Sequence, residues 1–173
     1  MNPAQLSKNF TLDEFLFSQT ATRHGINMHV ALSGPVYSNL RRLCMRLLQP
    51  LRDELGPVIV TSGYRPPRLN RMIGGSPTSQ HLVGLAADIV VPGYTPLEVA
   101  QWIRHNTTVY DQLIHEFGEW VHVSVPARNR AARHQLLTAV RIPSALPWTK
   151  PRTRYVDGLV SLETALQRAG HAA

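Results

Sequence analysis

From Val36 to Leu55 the apolar residues Val36, Leu40, Leu43, Cys44, Leu47, Leu48, Leu51 and Leu55 recur at intervals of one to four. That is the repeat of one helix face, and it predicts a long amphipathic helix. Pro50 interrupts the run and predicts a kink or a division there, because proline has no N–H to donate. Two shorter helices are announced by their first turns. "TLDE" (Thr11 to Glu14) reads as a capping box, with Thr11 accepting from the backbone and Glu14 reaching back. "TPLE" (Thr95 to Glu98) is a second, with Pro96 at the first helical position, and predicts a helix to about His105.

Elsewhere the pattern changes to that of strands. "PVIVTSGY" (57–64) is short and β-branched, and "AADIVVP" (86–92) is an apolar run that stops at proline. "EWVHVSV" (119–125) alternates, placing Trp120, His122 and Ser124 on one face and Val121, Val123 and Val125 on the other. "DQLIHEF" (111–117) predicts a further strand leading into it. Between the first two strands lies "RPPRLNRMIGGSPTSQHLVG", a long polar connection of the kind that carries function. After Pro126 an Arg-rich helix or turn is expected, and then a peripheral or flexible stretch, "IPSALPWTKPRTRY". No internal repeat or low-complexity tract occurs. The expected fold is α+β: a small, mostly antiparallel sheet flanked by helices.

Composition narrows the class. At 173 residues, 43% hydrophobic and 17% charged, the chain has the length and make-up of one globular domain. Its single cysteine, Cys44, falls in the helical stripe and cannot form an internal disulfide. No charged-then-apolar leader precedes the first helix, and no apolar run approaches the roughly 20 residues of a membrane span. The expectation is a protein made in the cytoplasm, with no transmembrane segment. The net charge of +7 points to an anionic partner. From Ala127 onward eight Arg/Lys stand against two acids, Asp157 and Glu163. Nucleic acid is not the expected partner, because helix-turn-helix, zinc-finger and aromatic-basic patterns are lacking.

The chemistry gathers around "SQHLVGLAAD" (79–88). A catalytic zinc site needs about three protein donors and one open position. His81 ends the long loop, Asp88 lies in the strand after it, and His122 faces one side of another strand. If those strands are neighbours, the three converge. Asp is disfavoured inside an apolar strand such as "AADIVV" and needs a partner if buried. His24, His29, His105, His115 and His134 compete for the role; His115 is the strongest rival but shares a face with Leu113. Hydrolysis also needs a carboxylate to move a proton from water to the leaving amine. Glu119 lies three residues before His122 and Glu116 six. On an ideal strand Glu119 faces away and needs a turn at Gly118 to reach the site, whereas Glu116 has the right parity but lies farther off. Glu119 is favoured, with Glu116 the alternative.

"SGYRPP", "SQHLVGLAAD" and "EWVHVS", in this order, resemble the zinc D-Ala-D-Ala carboxypeptidases and related bacteriophage peptidoglycan endopeptidases. "NFTLDEF" and "NLRRL…LQPLRDELG" resemble their phage members. The resemblance implies the hedgehog/DD-peptidase fold and a catalytic domain over 1–140, followed by a basic, Pro-containing extension over 141–173 of unread role. It implies zinc held by His81, Asp88 and His122. It implies Glu119 as general base, although some phage-type members keep an acid at the position of Glu116. Arg65 maps to an arginine that binds substrate and steadies the developing oxyanion, and Ser79 and Gln80 line the site as substrate-binding residues, with Ser79 equally readable as a turn-forming hydroxyl. The function so implied is cleavage of amide bonds in peptidoglycan stem peptides, of D-Ala-D-Ala carboxypeptidase or L-Ala-D-Glu endopeptidase type. A monomeric phage or prophage lysis enzyme is expected, reaching the wall after release and attracted by anionic wall polymer or envelope. The alternative is a wall-binding module that keeps the zinc without the catalysis.

Overall fold

The apolar stripe over 35–55 folds as one nearly continuous helical rod. α3 (Pro35–Leu43) passes through a π-helical turn (Cys44–Leu48) into α4 (Gln49–Leu55). The π turn lies just before Pro50 and absorbs the missing backbone donor without a break. Gln49 N donates to Cys44 O, five residues back. The computed structural model describes residues 4–144, 149 and 151–171. Both capping boxes form: Thr11 N donates to Glu14 at 2.7 Å and opens α1 (Leu12–Leu16), and Thr95 N donates to Glu98 at 2.7 Å and opens α6 (Pro96–Asn106). α2 (Gln19–Arg23) and α5 (Pro67–Met72) are short, and α7 (Leu162–His171) closes the chain. No helix among the described residues is long and apolar enough to cross a membrane.

Six strands make one sheet in the order β1-β2-β4-β3-β5-β6. They are β1 (Ile59–Ser62), β2 (Ala86–Val90), β3 (Gln112–Glu116), β4 (Trp120–Ser124), β5 (Gln135–Ile142) and β6 (Arg152–Asp157). All neighbours are antiparallel except β3 and β5. The α+β class and the mostly antiparallel sheet are as expected.

Alternation gives the sheet two different faces. Ala87, Ile89, Val121, Val123 and Leu113 point into the main core, where they meet Leu40, Leu43, Leu47, Leu48 and Leu51 of the helical rod and Val99 and Ile103 of α6. Truncating one of these buried leucines to alanine costs about 2–5 kcal/mol. His115 shares the Leu113 face and its Nδ1 lies 3.0 Å from Val160 O, so it serves packing. The opposite face carries Asp88, His122, Gln112, Glu116, Gln135 and Tyr155.

The chain after Pro126 is more ordered than its composition predicts. Of the expected helix or turn over 127–134 the turn forms, with Arg130 N donating to Ala127 O at 3.2 Å, and no helix does. β5 pairs in parallel with β3, and β6 pairs with β5 over Leu137–Ile142 and Arg152–Asp157. Residue 140, where the catalytic domain is expected to end, lies inside β5. Val140 packs there against Ala165 and Ala169 of α7, which supplies the apolar partner this strand needs. Residues 145–148 and 150 of the expected flexible stretch lie outside the described residues.

Candidate metal centre

The register of the sheet assembles the site. Ser62 pairs with Asp88, Asp88 with His122, His122 with Ile114 and Ile114 with Leu137. One row of the sheet therefore holds two of the three expected donors. An irregularity between Val60 and Ser62 in β1 brings Ser62 into that row. The third donor, His81, comes from a 3-10 turn (Gln80–Val83) that ends at Gly84. Gly84 has φ +72°, and a Cβ there would lie 2.9 Å from Val36 O. Only glycine meets both demands.

His81 Nε2, His122 Nδ1 and Asp88 Oδ1 form a triangle with sides of 3.2, 3.1 and 3.0 Å. All three residues are buried. His81 Nδ1 lies 2.6 Å from Gly63 O. A carbonyl only accepts, so Nδ1 carries the proton and Nε2 turns a lone pair toward the triangle. Gly63 is needed there: a Cβ would fall 2.5 Å from Phe15 O. With both imidazoles neutral, as metal ligands must be, the triangle holds two acceptors and at most one N–H, that of His122. One proton cannot satisfy three such contacts; one cation can. Tetrahedral donors at about 2.0–2.1 Å from zinc sit roughly 3.3 Å apart, close to the sides observed. The donor set, its spacing and the backbone bond that orients His81 all fit zinc.

The second oxygen of Asp88 is taken by Arg65, whose Nη2 donates to Oδ2 while its Nε donates to Ser62 Oγ at 2.8 Å. Burial alone would raise the Asp88 carboxyl. The imidazoles of His81 and His122 outweigh it and hold the group far below the usual carboxylate range. Arg65 is thereby tied to a donor, and it also lines the cleft above the triangle, a space of about 690 Å³.

The two candidate bases part company. Phe117 (φ 58°) and Gly118 (φ 72°) turn the chain between β3 and β4, and Glu119 N donates back to Glu116 O at 2.9 Å. The expected turn is present, yet Glu119 points outward. Its side chain is 51% exposed and is gripped by Arg141 of β5, which also lies 4.0 Å over the Phe117 ring. The ion pair lowers the Glu119 carboxyl, and the residue does not line the cleft. Glu116 does. It stands opposite Trp120, one row from the donors. Burial first, and then the charge of Asp88, push its carboxyl up to about 7, against the pull of His122, Arg65 and the Trp120 indole. The buried Trp120 Nε1 makes no hydrogen bond of ordinary geometry. It favours the carboxylate by proximity.

Ser79 and Gln80 both line the cleft, and both are engaged. Ser79 Oγ accepts from His81 N at 3.3 Å, which caps the turn that carries the donor. Gln80 Nε2 donates to Asp111 at 3.1 Å and Val125 O at 3.3 Å, and its Oε1 accepts from Arg133 at 2.9 Å. Sequence patterns do not place Asp111, Arg133, Gln135 and Tyr155 near the site. Alternation in "QLIHE" puts Gln112 on the side of Glu116. Arg133, Gln135 and Tyr155 depend on the β3–β5 pairing, which no local pattern signals.

The sequence model of the Peptidase M15 family matches residues 8–124. The chain belongs to the Peptidase M15 family. The match contains "SGYR", "SQHLVGLAAD" and "WVHVS", and ends at Ser124, the last residue of β4. No curated protein matches the chain. As an M15 peptidase it is a zinc metallopeptidase, and the His81–Asp88–His122 cluster is the group among the described residues that fits the metal.

Proposed function

We propose that this M15 peptidase hydrolyses amide bonds in the stem peptides of peptidoglycan, with zinc on His81, Asp88 and His122 and Glu116 as the proton carrier. The observation that carries the reading is the pairing of a three-donor triangle with a half-buried carboxyl one row away, on one face of one sheet and in one cleft. Zinc in such a site supplies Lewis acidity, which polarises a carbonyl and acidifies water. Glu116 takes the proton from the attacking water and delivers it to the leaving nitrogen. A carboxylate in the cleft, one row from the donors, is placed for both halves of that task. Arg65 fixes Asp88 and holds positive charge beside the reacting carbonyl, where negative charge develops. Ser79 steadies the His81 turn. Glu119, paired with Arg141 outside the cleft, takes no part.

The bond is that of a D-Ala-D-Ala carboxypeptidase or an L-Ala-D-Glu endopeptidase, and its place of action is the cell wall in a phage or prophage lysis role. The net charge of +7 supports attraction to anionic wall polymer. The test is to incubate zinc-loaded protein with purified sacculi and identify the newly exposed amino and carboxyl ends. New ends from one peptide bond are expected and name that bond. Bound zinc with no new ends from several wall types would refute the substrate class.

A further inference from the structure

The family match stops at Ser124, yet one wall of the cleft is built by residues C-terminal to it. Gln135 and Leu137 of β5, Tyr155 of β6 and Arg133 in the preceding segment all line it. Arg133 is the cation of that wall, and it is held unusually well for a half-exposed side chain. Its Nε and Nη2 donate to Asp111 Oδ2 at 2.8 and 2.7 Å, and Nη2 also donates to Gln80 Oε1 at 2.9 Å. Its backbone N donates to Asp111 Oδ1 at 2.9 Å. Asp111 is 4% exposed, and these bonds hold its carboxyl down against burial. Three of the five guanidinium N–H groups are thus committed. The two on Nη1 have one long contact, 3.4 Å to Gln135 Oε1, and that oxygen already accepts from Gln112 at 2.7 Å.

We infer that Arg133, positioned by Asp111 and Gln80, is a specificity residue that receives a carboxylate of the substrate peptide through its Nη1 edge. The inference rests on the peptidase reading above and adds to it which peptide is preferred. The rows of the sheet say where that carboxylate lies. Glu116 is one row to one side of the donors; Gln112 and Gln135 form the next row on the other side, and Arg133 lies beyond them. Rows on one face are roughly 7 Å apart along the strands. The carboxylate is therefore remote from the scissile bond, and Arg133 is distinct in role from Arg65. Asp157, the acid on β6, falls in the donor row opposite Leu137. An arginine fixed in advance loses little side-chain freedom on binding an anion, which is what makes it selective.

The test uses zinc-loaded protein and synthetic stem peptides in which each carboxylate in turn is replaced by its amide. For wild type, one such replacement is expected to raise KM about 10- to 100-fold, the effect of one charge-assisted hydrogen bond. Arg133→Gln should bring the acid down to the level of that amide, and Arg133→Lys should restore part of the difference. Because Arg133→Gln strands a buried carboxylate, the double variant Asp111→Asn with Arg133→Gln is measured beside it. It leaves no unpaired buried charge and should show the same lost discrimination with the same zinc content. If no amide replacement changes KM, or if the double variant still prefers the acid, the inference is wrong and the peptidase reading stands. If wild type cleaves none of the peptides and no sacculus, the substrate class itself falls, and the inference falls with it.

Discussion

Two parts of the cleft are each built round a buried aspartate and an arginine, and they do different work. At Asp88 one oxygen faces two imidazole nitrogens and the other faces Arg65. At Asp111 the carboxylate accepts from N–H donors of Arg133 and Gln80. The first group has too many acceptors and is completed by a cation. The second is complete as it stands. Burial of a carboxylate therefore does not mark a metal site; the donor or acceptor character of its neighbours does.

The largest effect should come from breaking the first group. Asp88→Asn or His81→Ala is expected to abolish zinc retention and with it all turnover, read by metal analysis and peptide release. Glu116→Gln should keep the zinc and lower kcat by about 10²- to 10⁴-fold, whereas Glu119→Gln should change kcat less than threefold, roughly the noise of such comparisons. The same Glu116 change should have the opposite sign on stability. A carboxyl near 7 in the folded state and near 4.5 unfolded binds its proton more tightly when folded, so it stabilises at low pH. That contribution is fully present below about 4.5 and is lost as pH rises through about 7. Metal-free Glu116→Gln should consequently gain about 1–3 kcal/mol over wild type at pH 8 and little at pH 4, measured by thermal melts.

Smaller effects separate the two arginines. Arg65→Lys removes the fork that bridges Asp88 and Ser62 and should weaken zinc affinity about 10-fold or more. Asp111→Asn should leave zinc affinity unchanged and lower stability by about 1–3 kcal/mol. Smallest is Arg141→Ala, which breaks an exposed pair with Glu119 and should cost less than ~1 kcal/mol in a denaturant titration.

The metal half of the site is legible in the sequence because its signals are local. Alternation in "WVHVS" sets the face of His122, the carboxylate in "AADIVV" demands a partner, and both capping boxes name their own helices. The orientation of Glu119 is not legible in the sequence, because a distant residue sets it. Gly118 does mark a turn, but where Glu119 points is decided by Arg141, which lies 22 residues on in β5. "HQLLTAVRI" has strand character, but its parallel pairing with β3 has no signature in either segment. Hence Arg133 and Tyr155, which reach the cleft only through that pairing, carry no local mark of their place. Gln80 is readable as a site residue, while its attachment to Asp111 and Arg133 needs the fold.

The most direct test is the zinc content of three purified proteins after reconstitution and dialysis: wild type, Asp88→Asn and Asp111→Asn. About one zinc per chain is expected in wild type and Asp111→Asn, and none in Asp88→Asn. Zinc retained equally by Asp88→Asn, or absent from wild type, would contradict the assignment of the metal to the His81–Asp88–His122 triangle.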